Sequence, residues 1–150
     1  MHKTLVALAV MALATLPLHA GAATVSSDEL IAARQAEMKL HAAVMSTLKR
    51  AVDEKVADVR PFKDAGDALA ASGKAFPGLF AEGTDKGHDT KALPVIWSDR
   101  AGFDKAAANF ADAAQNLSKA AASGDQAGFA AAFQATGQAC GACHRTYRAR

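Results

Sequence analysis

Residues 99–147 read DRAGFDKAAANFADAAQNLSKAAASGDQAGFAAAFQATGQACGACHRTY, and this stretch decides the fold. Phe103, Ala107, Phe110, Ala114, Leu117 and Ala121 recur at spacings of three and four, which places them on one face of a helix. Ser98 or Asp99 can cap its start, Gly124 ends it, and Asp125 caps the next helix. A second stripe follows: Phe129, Phe133, Thr136, Cys140, Cys143 and Tyr147. So short a connection makes the two helices antiparallel neighbours.

Working upstream, Ser26-x-x-Glu29 has capping-box form. Ile31, Arg34, Met38, His41, Met45, Leu48 and Val52 then form one stripe, with Arg34 and His41 its two polar members. Pro61 suits the first turn of another helix, whose weaker stripe is Phe62, Ala65, Leu69, Ser72 and Phe76. Residues 77–94 hold three glycines and read as a long irregular connection that crosses the bundle end or serves as a lid. The stripes are narrow and nearly heptad-spaced, so the helices pack with small crossing angles. The expectation is an all-α, four-helix, up-down-up-down antiparallel bundle.

Composition agrees. The 150 residues suffice for one domain, 39 of them are alanine, and aromatics make up only 6%. That composition excludes an all-β domain and favours helix. A net charge of +2 excludes a disordered acidic tail and a strongly basic nucleic-acid binder. Neither a nucleotide-binding glycine pattern nor an internal repeat is present. No Ser-His-Asp or paired-carboxylate constellation is visible, so no enzymatic activity is expected.

The first residues have another purpose. His2-Lys3 precede an apolar run from Thr4 to Leu18, and the small residues Ala20, Gly21, Ala22 and Ala23 follow. This is the form of a secretory signal peptide over residues 1–22, with cleavage plausible after Ala20, Ala22 or Ala23. The run is shorter than the roughly 20 residues of a spanning helix. The expected mature chain, residues 23–150, is periplasmic and not membrane-bound, with nearly balanced charge.

The chemistry lies near the C-terminus. Cys140-Gly141-Ala142-Cys143-His144 is the c-type haem attachment motif. On a helix, residues i and i+3 share a face, so both thiols reach the vinyl groups on one porphyrin edge. His144 then presents its imidazole to the iron. A disulfide is the poorer reading, because i,i+3 on a continuous helix has poor disulfide geometry. A redox Cys-x-x-Cys belongs at the start of a helix after a strand, and a zinc site lacks further ligands.

With these residues in view, the mature chain resembles the class II c-type cytochromes, the cytochrome c′ group. The resemblance rests on Arg34-Gln35-x-x-Met38, Leu79-Phe80-x-x-Gly83-Thr84, Ile96-Trp97 and Cys140-x-x-Cys143-His144-x-x-Tyr147-Arg148. It implies one covalently attached haem c, with Arg34 and Gln35 by the propionates and Arg148 on the proximal side. An anion beside Arg34 would explain a cation on an apolar stripe; the alternative is a snorkelling side chain at the bundle edge. The resemblance also implies electron transfer with an unidentified redox partner, and allows a homodimer through the first two helices.

Met38 occupies the distal position. In cytochromes c′ a bulky group there covers the iron without bonding it, leaving a five-coordinate iron that binds nitric oxide or carbon monoxide. In related low-spin cytochromes a methionine is the sixth ligand, and the protein only transfers electrons. Glu37 and Lys39 should point away from the haem. His41, where the family usually has an apolar residue, reads as a locally hydrogen-bonded histidine, a dimer contact or a group titrating near neutrality. His88, exposed in the loop, is assigned no role beyond a remote chance of touching a propionate, while Trp97 and Tyr147 are packing residues. A third, weaker hypothesis is a haem-free helical module with a redox-active thiol pair.

Overall fold

The computed structural model describes residues 25–150; the proposed leader lies outside the described residues. Four long helices run in sequence: α1 (Ser27–Asp53), α2 (Lys63–Ala75), α4 (Arg100–Ser123) and α5 (Gln126–Tyr147). Between α2 and α4 stands the one-turn α3 (Val95–Ser98). Short 3-10 turns, Arg60–Phe62 and Phe76–Leu79, flank α2. Among the described residues the sole extended pairing is an isolated bridge between Ala92 and Arg148. The architecture is the four-helix bundle that the hydrophobic periodicity predicts.

The helix ends follow local chemistry. The capping box at α1 is complete: Glu29 N–H donates to Ser26 Oγ, and Ser26 N–H donates to Glu29 Oε2 at 2.8 Å. Asp99 accepts from the Gly102 N–H to start α4, and Asp125 accepts from the Gly128 N–H to start α5. Gly124, at φ 74°, turns the chain between them. At the end of α1 the same left-handed position falls to Lys55, φ 50°, while Val56 N–H bonds Ala51 O. Pro61 belongs to the 3-10 turn leading into α2 rather than to α2's own first turn.

On α2 the buried face is Gly66, Leu69, Ala70 and Gly73, whereas Phe62, Ala65, Ser72 and Phe76 are only half-buried. The apolar stripe read from the sequence is therefore rotated from the true contact face. Glycine adds nothing to a hydrophobic pattern, yet its missing side chain is what lets α4 approach. A Cβ on Gly66 would sit 2.6 Å from the Ser118 backbone nitrogen, and one on Gly73 2.8 Å from the Phe110 ring. Opposite these glycines, Ala111, Ala114, Leu117 and Ser118 of α4 are buried. The core separates into two clusters. One is mainly aliphatic, around Leu48, Leu69 and Leu117 with Phe129; the other is mainly aromatic, around Phe80, Phe103 and Tyr147.

Candidate functional site

A cavity of about 790 Å³ opens between α1 and the α4–α5 pair, and all seven residues singled out from the sequence line it. Arg34, Gln35 and Met38 come from α1; Cys140, Cys143, His144 and Arg148 come from α5 and its last turn. Phe80, Ile96, Phe103, Ala107 and Phe110 supply apolar wall between them.

The α5 side is set by helical spacing. Cys140 and Cys143 are free, half-buried thiols. Burial raises the pKa of both, so they remain protonated at neutral pH. A thiol pair built for disulfide exchange needs the opposite shift, so this environment disfavours the redox-pair hypothesis. His144 is exposed overall, but the wall packed against its ring and the Arg148 cation lower its pKa. It is therefore a neutral imidazole, the form that binds a metal. Tyr147 packs edge-on against Phe103, ring centroids 5.3 Å apart, with its hydroxyl 3.4 Å from Asp99 Oδ2. Trp97 lies beside Phe80 and donates to Ala81 O at 3.0 Å. Both are packing residues, as the sequence predicts.

The α1 side is tied to the loop. Arg34 is 4% exposed; its Nη1 donates to Thr84 Oγ1 at 3.0 Å and its Nη2 to Thr84 O at 2.7 Å and Thr90 Oγ1 at 2.6 Å. The guanidinium also lies over the Phe80 ring, 4.6 Å from its centroid. Among the described residues no carboxylate pairs with Arg34 within 4 Å. Gln35 donates to His88 O at 3.0 Å, and His88 in turn meets Asp28 at 2.8 Å. The loop is thus latched to α1. Its far end is zipped to the C-terminus, where Leu93 N–H bonds Tyr147 O and Ala149 N–H bonds Lys91 O. Arg34 is buried rather than snorkelling. Phe80, Thr84 and Thr90 are the loop residues that receive it.

Two features escape the sequence reading, and a third, the locally hydrogen-bonded His41, agrees with it. Lys39 lies at the cavity edge, joined by Lys91, rather than pointing away. Glu37 turns toward α2, where it accepts a hydrogen bond from Ser72 Oγ. His41, 8% exposed, meets the same Ser72 Oγ through Nε2 at 2.7 Å. The available signal was a polar residue on each of two apolar stripes, His41 on α1 and Ser72 on α2.

The donor set suits haem c. Two thiols and an imidazole share a helix face at the wall of a largely apolar cavity of cofactor size, and a buried cation awaits an anion. A family model described as Cytochrome C' matches residues 29–148.

The chain belongs to the cytochrome c′ family.

It is 33% identical to cytochrome c′ of Rhodocyclus tenuis over 126 residues, covering 81% of this chain and 95% of that protein. Cytochrome c′ of Rubrivivax gelatinosus is 49% identical over 69 residues, which is 46% of this chain and 54% of the relative, about half its length. Cytochrome c-556 of Agrobacterium tumefaciens (strain II Chrys) is 41% identical over 96 residues, 63% of this chain and 75% of that protein. Among solved structures, cytochrome c′ from Thermochromatium tepidum superposes with a TM-score of 0.77 at 31% identity, covering 83% of this chain and 98% of that one. A nitric oxide complex of a variant cytochrome c prime from Alcaligenes xylosoxidans gives a TM-score of 0.75 at 30% identity, with the same coverage. As a cytochrome c′ family member the protein is a haem protein, with haem c attached covalently.

Proposed function

We propose that this family member is an exported, periplasmic electron-transfer protein. In this reading its haem iron keeps an open sixth position that takes nitric oxide or carbon monoxide. Cys140 and Cys143 would hold the haem by thioether bonds, His144 would ligate its iron, and Met38 would cover the opposite face. Arg34 and Gln35 face the propionates, and Arg148 lies on the proximal side. Bound there, the haem supplies a reversible one-electron couple and a site for a diatomic ligand. The protein's part is to orient it, neutralise its acid groups and exclude water.

The observation that carries the reading is the single apolar cavity joining the α5 motif to Met38 on α1. Apolar walls favour a small uncharged ligand, and the Alcaligenes relative is named as a nitric oxide complex. Buried Arg34 supports the propionate assignment, since a cation at 4% exposure is stabilised by an anion. For location, no helix among the described residues is long and apolar enough to cross a membrane. Exposed Leu40 on α1 is compatible with pairing of two copies through α1 and α2. The redox partner is a protein of unassigned identity, and no catalytic turnover is part of this reading.

A second reading makes Met38 the sixth ligand of a six-coordinate carrier, because Met38 lines the same cavity as the α5 motif. The ferrous visible spectrum separates the two. A broad unsplit band that changes on adding carbon monoxide supports the open position. Sharp α and β bands, turned high-spin by Met38→Leu, establish Met38 as ligand. Absence of covalent haem by mass spectrometry after expression with a maturation system rejects both.

A further inference from the structure

One buried titratable group in the cavity has no part in holding the haem. His41 lies on α1 one turn beyond Met38 and lines the same cavity as His144. Its ring packs against Phe110 of α4, 5.2 Å between centroids, and Phe76, 6.4 Å. Glu37 faces it from α1, with Nε2 3.6 Å from Glu37 Oε1. Ser72 faces it from α2 at 2.7 Å, and His144 of α5 is near enough to influence its charge.

The hydrogen bonds fix its tautomer. Ser72 has one hydroxyl proton and two partners. The Glu37 carboxylate only accepts, so the proton goes to Glu37 Oε1. Ser72 Oγ must then accept from His41, which carries its proton on Nε2. Nδ1 is left as a bare lone pair with no protein partner among the described residues. Yet no side-chain nitrogen or oxygen described is both buried and unpartnered. Nδ1 therefore stays accessible, on a side chain that lines the cavity.

We propose that His41, oriented by Ser72 and Glu37, is the proton acceptor of this cavity and selects for small weak acids such as hydrogen cyanide or hydrazoic acid. Nitric oxide and carbon monoxide bring no proton and gain nothing from it. When hydrogen cyanide enters, its H–C bond breaks, the proton passes to Nδ1, and the electron pair left on carbon would be taken up by the ferric iron of the bound haem. The imidazolium formed is stabilised through Ser72 by the Glu37 carboxylate. The inference rests on the open sixth position proposed above.

The test uses the haem-loaded protein with two probes. Hydrogen cyanide association is measured on the ferric form, and carbon monoxide association on the ferrous form. His41→Met should slow cyanide about a hundredfold, the scale of a positioned acid–base group, and leave carbon monoxide unchanged. Ser72→Ala, a milder change, should slow cyanide by less and in the same direction. Independently, nitrogen NMR of the ferrous carbon monoxide adduct should show His41 protonated at Nε2, with the Nε2 signal moved by Ser72→Ala. Equal slowing of both probes, or no slowing of either, overturns the proposal, as does a proton on Nδ1. A change from low to high spin in His41→Met also overturns it, because His41 would then be an iron ligand. Failure of carbon monoxide to bind the unaltered protein overturns the open-position reading and this one with it. Carbon monoxide binding with no selective cyanide effect overturns this one alone.

Discussion

The two ends of the bundle are built on different principles. At the end around Leu48, Leu69, Ala114, Leu117, Ala121 and Phe129, helices meet through aliphatic and small side chains with a few phenylalanines among them. Gly66 brings α2 against the Ser118 backbone of α4, and Leu48, Ala114, Leu117 and Ala121 are wholly buried. At the other end α1 stands apart from α4 and α5 across the cavity, and beside Ile31 it buries two polar residues, Arg34 and His41. There the contacts are hydrogen bonds to a loop and to α2, each worth about 1 kcal/mol net and more to a charged group. One end supplies cohesion. The other preserves a space lined with specific chemistry, held open by polar ties rather than filled.

That contrast can be broken from the dry end with the largest effect. Leu117→Ala should cost about 3 kcal/mol in urea unfolding, since Leu117 is 0% exposed. The visible spectrum should stay unchanged. Gly66→Ala should cost about 2 kcal/mol, the clash with the Ser118 backbone outweighing the better helix propensity of alanine. A Gly66→Ala protein as stable as the parent would show that α2 and α4 are not held at this separation.

At the cavity end the effects should be local. Arg34→Met removes three donors to the loop, so hydrogen exchange at the Thr84 and Thr90 amides should quicken about tenfold. Amides of the Leu117 segment should exchange as before. The end of α1 offers a gain instead: Lys55→Gly relieves a left-handed lysine and should stabilise by about 1 kcal/mol in the same unfolding assay. The smallest effect concerns pH. Burial holds His41 below the ordinary imidazole value of 6.5, against the opposing pull of Glu37. The unfolded chain therefore takes up its proton first as pH falls. Stability from the neutral ring is present above pH 6.5 and lost on acidification through the lowered folded value. His41→Met should therefore reduce the loss of stability below pH 6.5.

Periodicity and caps made the bundle legible before any coordinates. Ser26, Asp99, Gly124 and Asp125 act where local chemistry places them, because a capping bond joins residues only a few positions apart. The haem motif was legible for the same reason, since Cys140, Cys143 and His144 share a face through helix geometry alone. The contact face of α2 was not legible, because glycine leaves no mark in a hydrophobic stripe. Nor was the inward turn of Glu37, whose partner lies 35 residues away.

The sequence by itself thus determined the helices, their ends and the attachment motif, all consequences of spacing within a few turns. The tertiary structure alone decided which backbones touch at Gly66 and Gly73, what receives Arg34, and that His41, Ser72 and Glu37 form one chain. Those contacts join residues far apart in sequence, and only packing, which balances burial against unmet polar groups, brings them together.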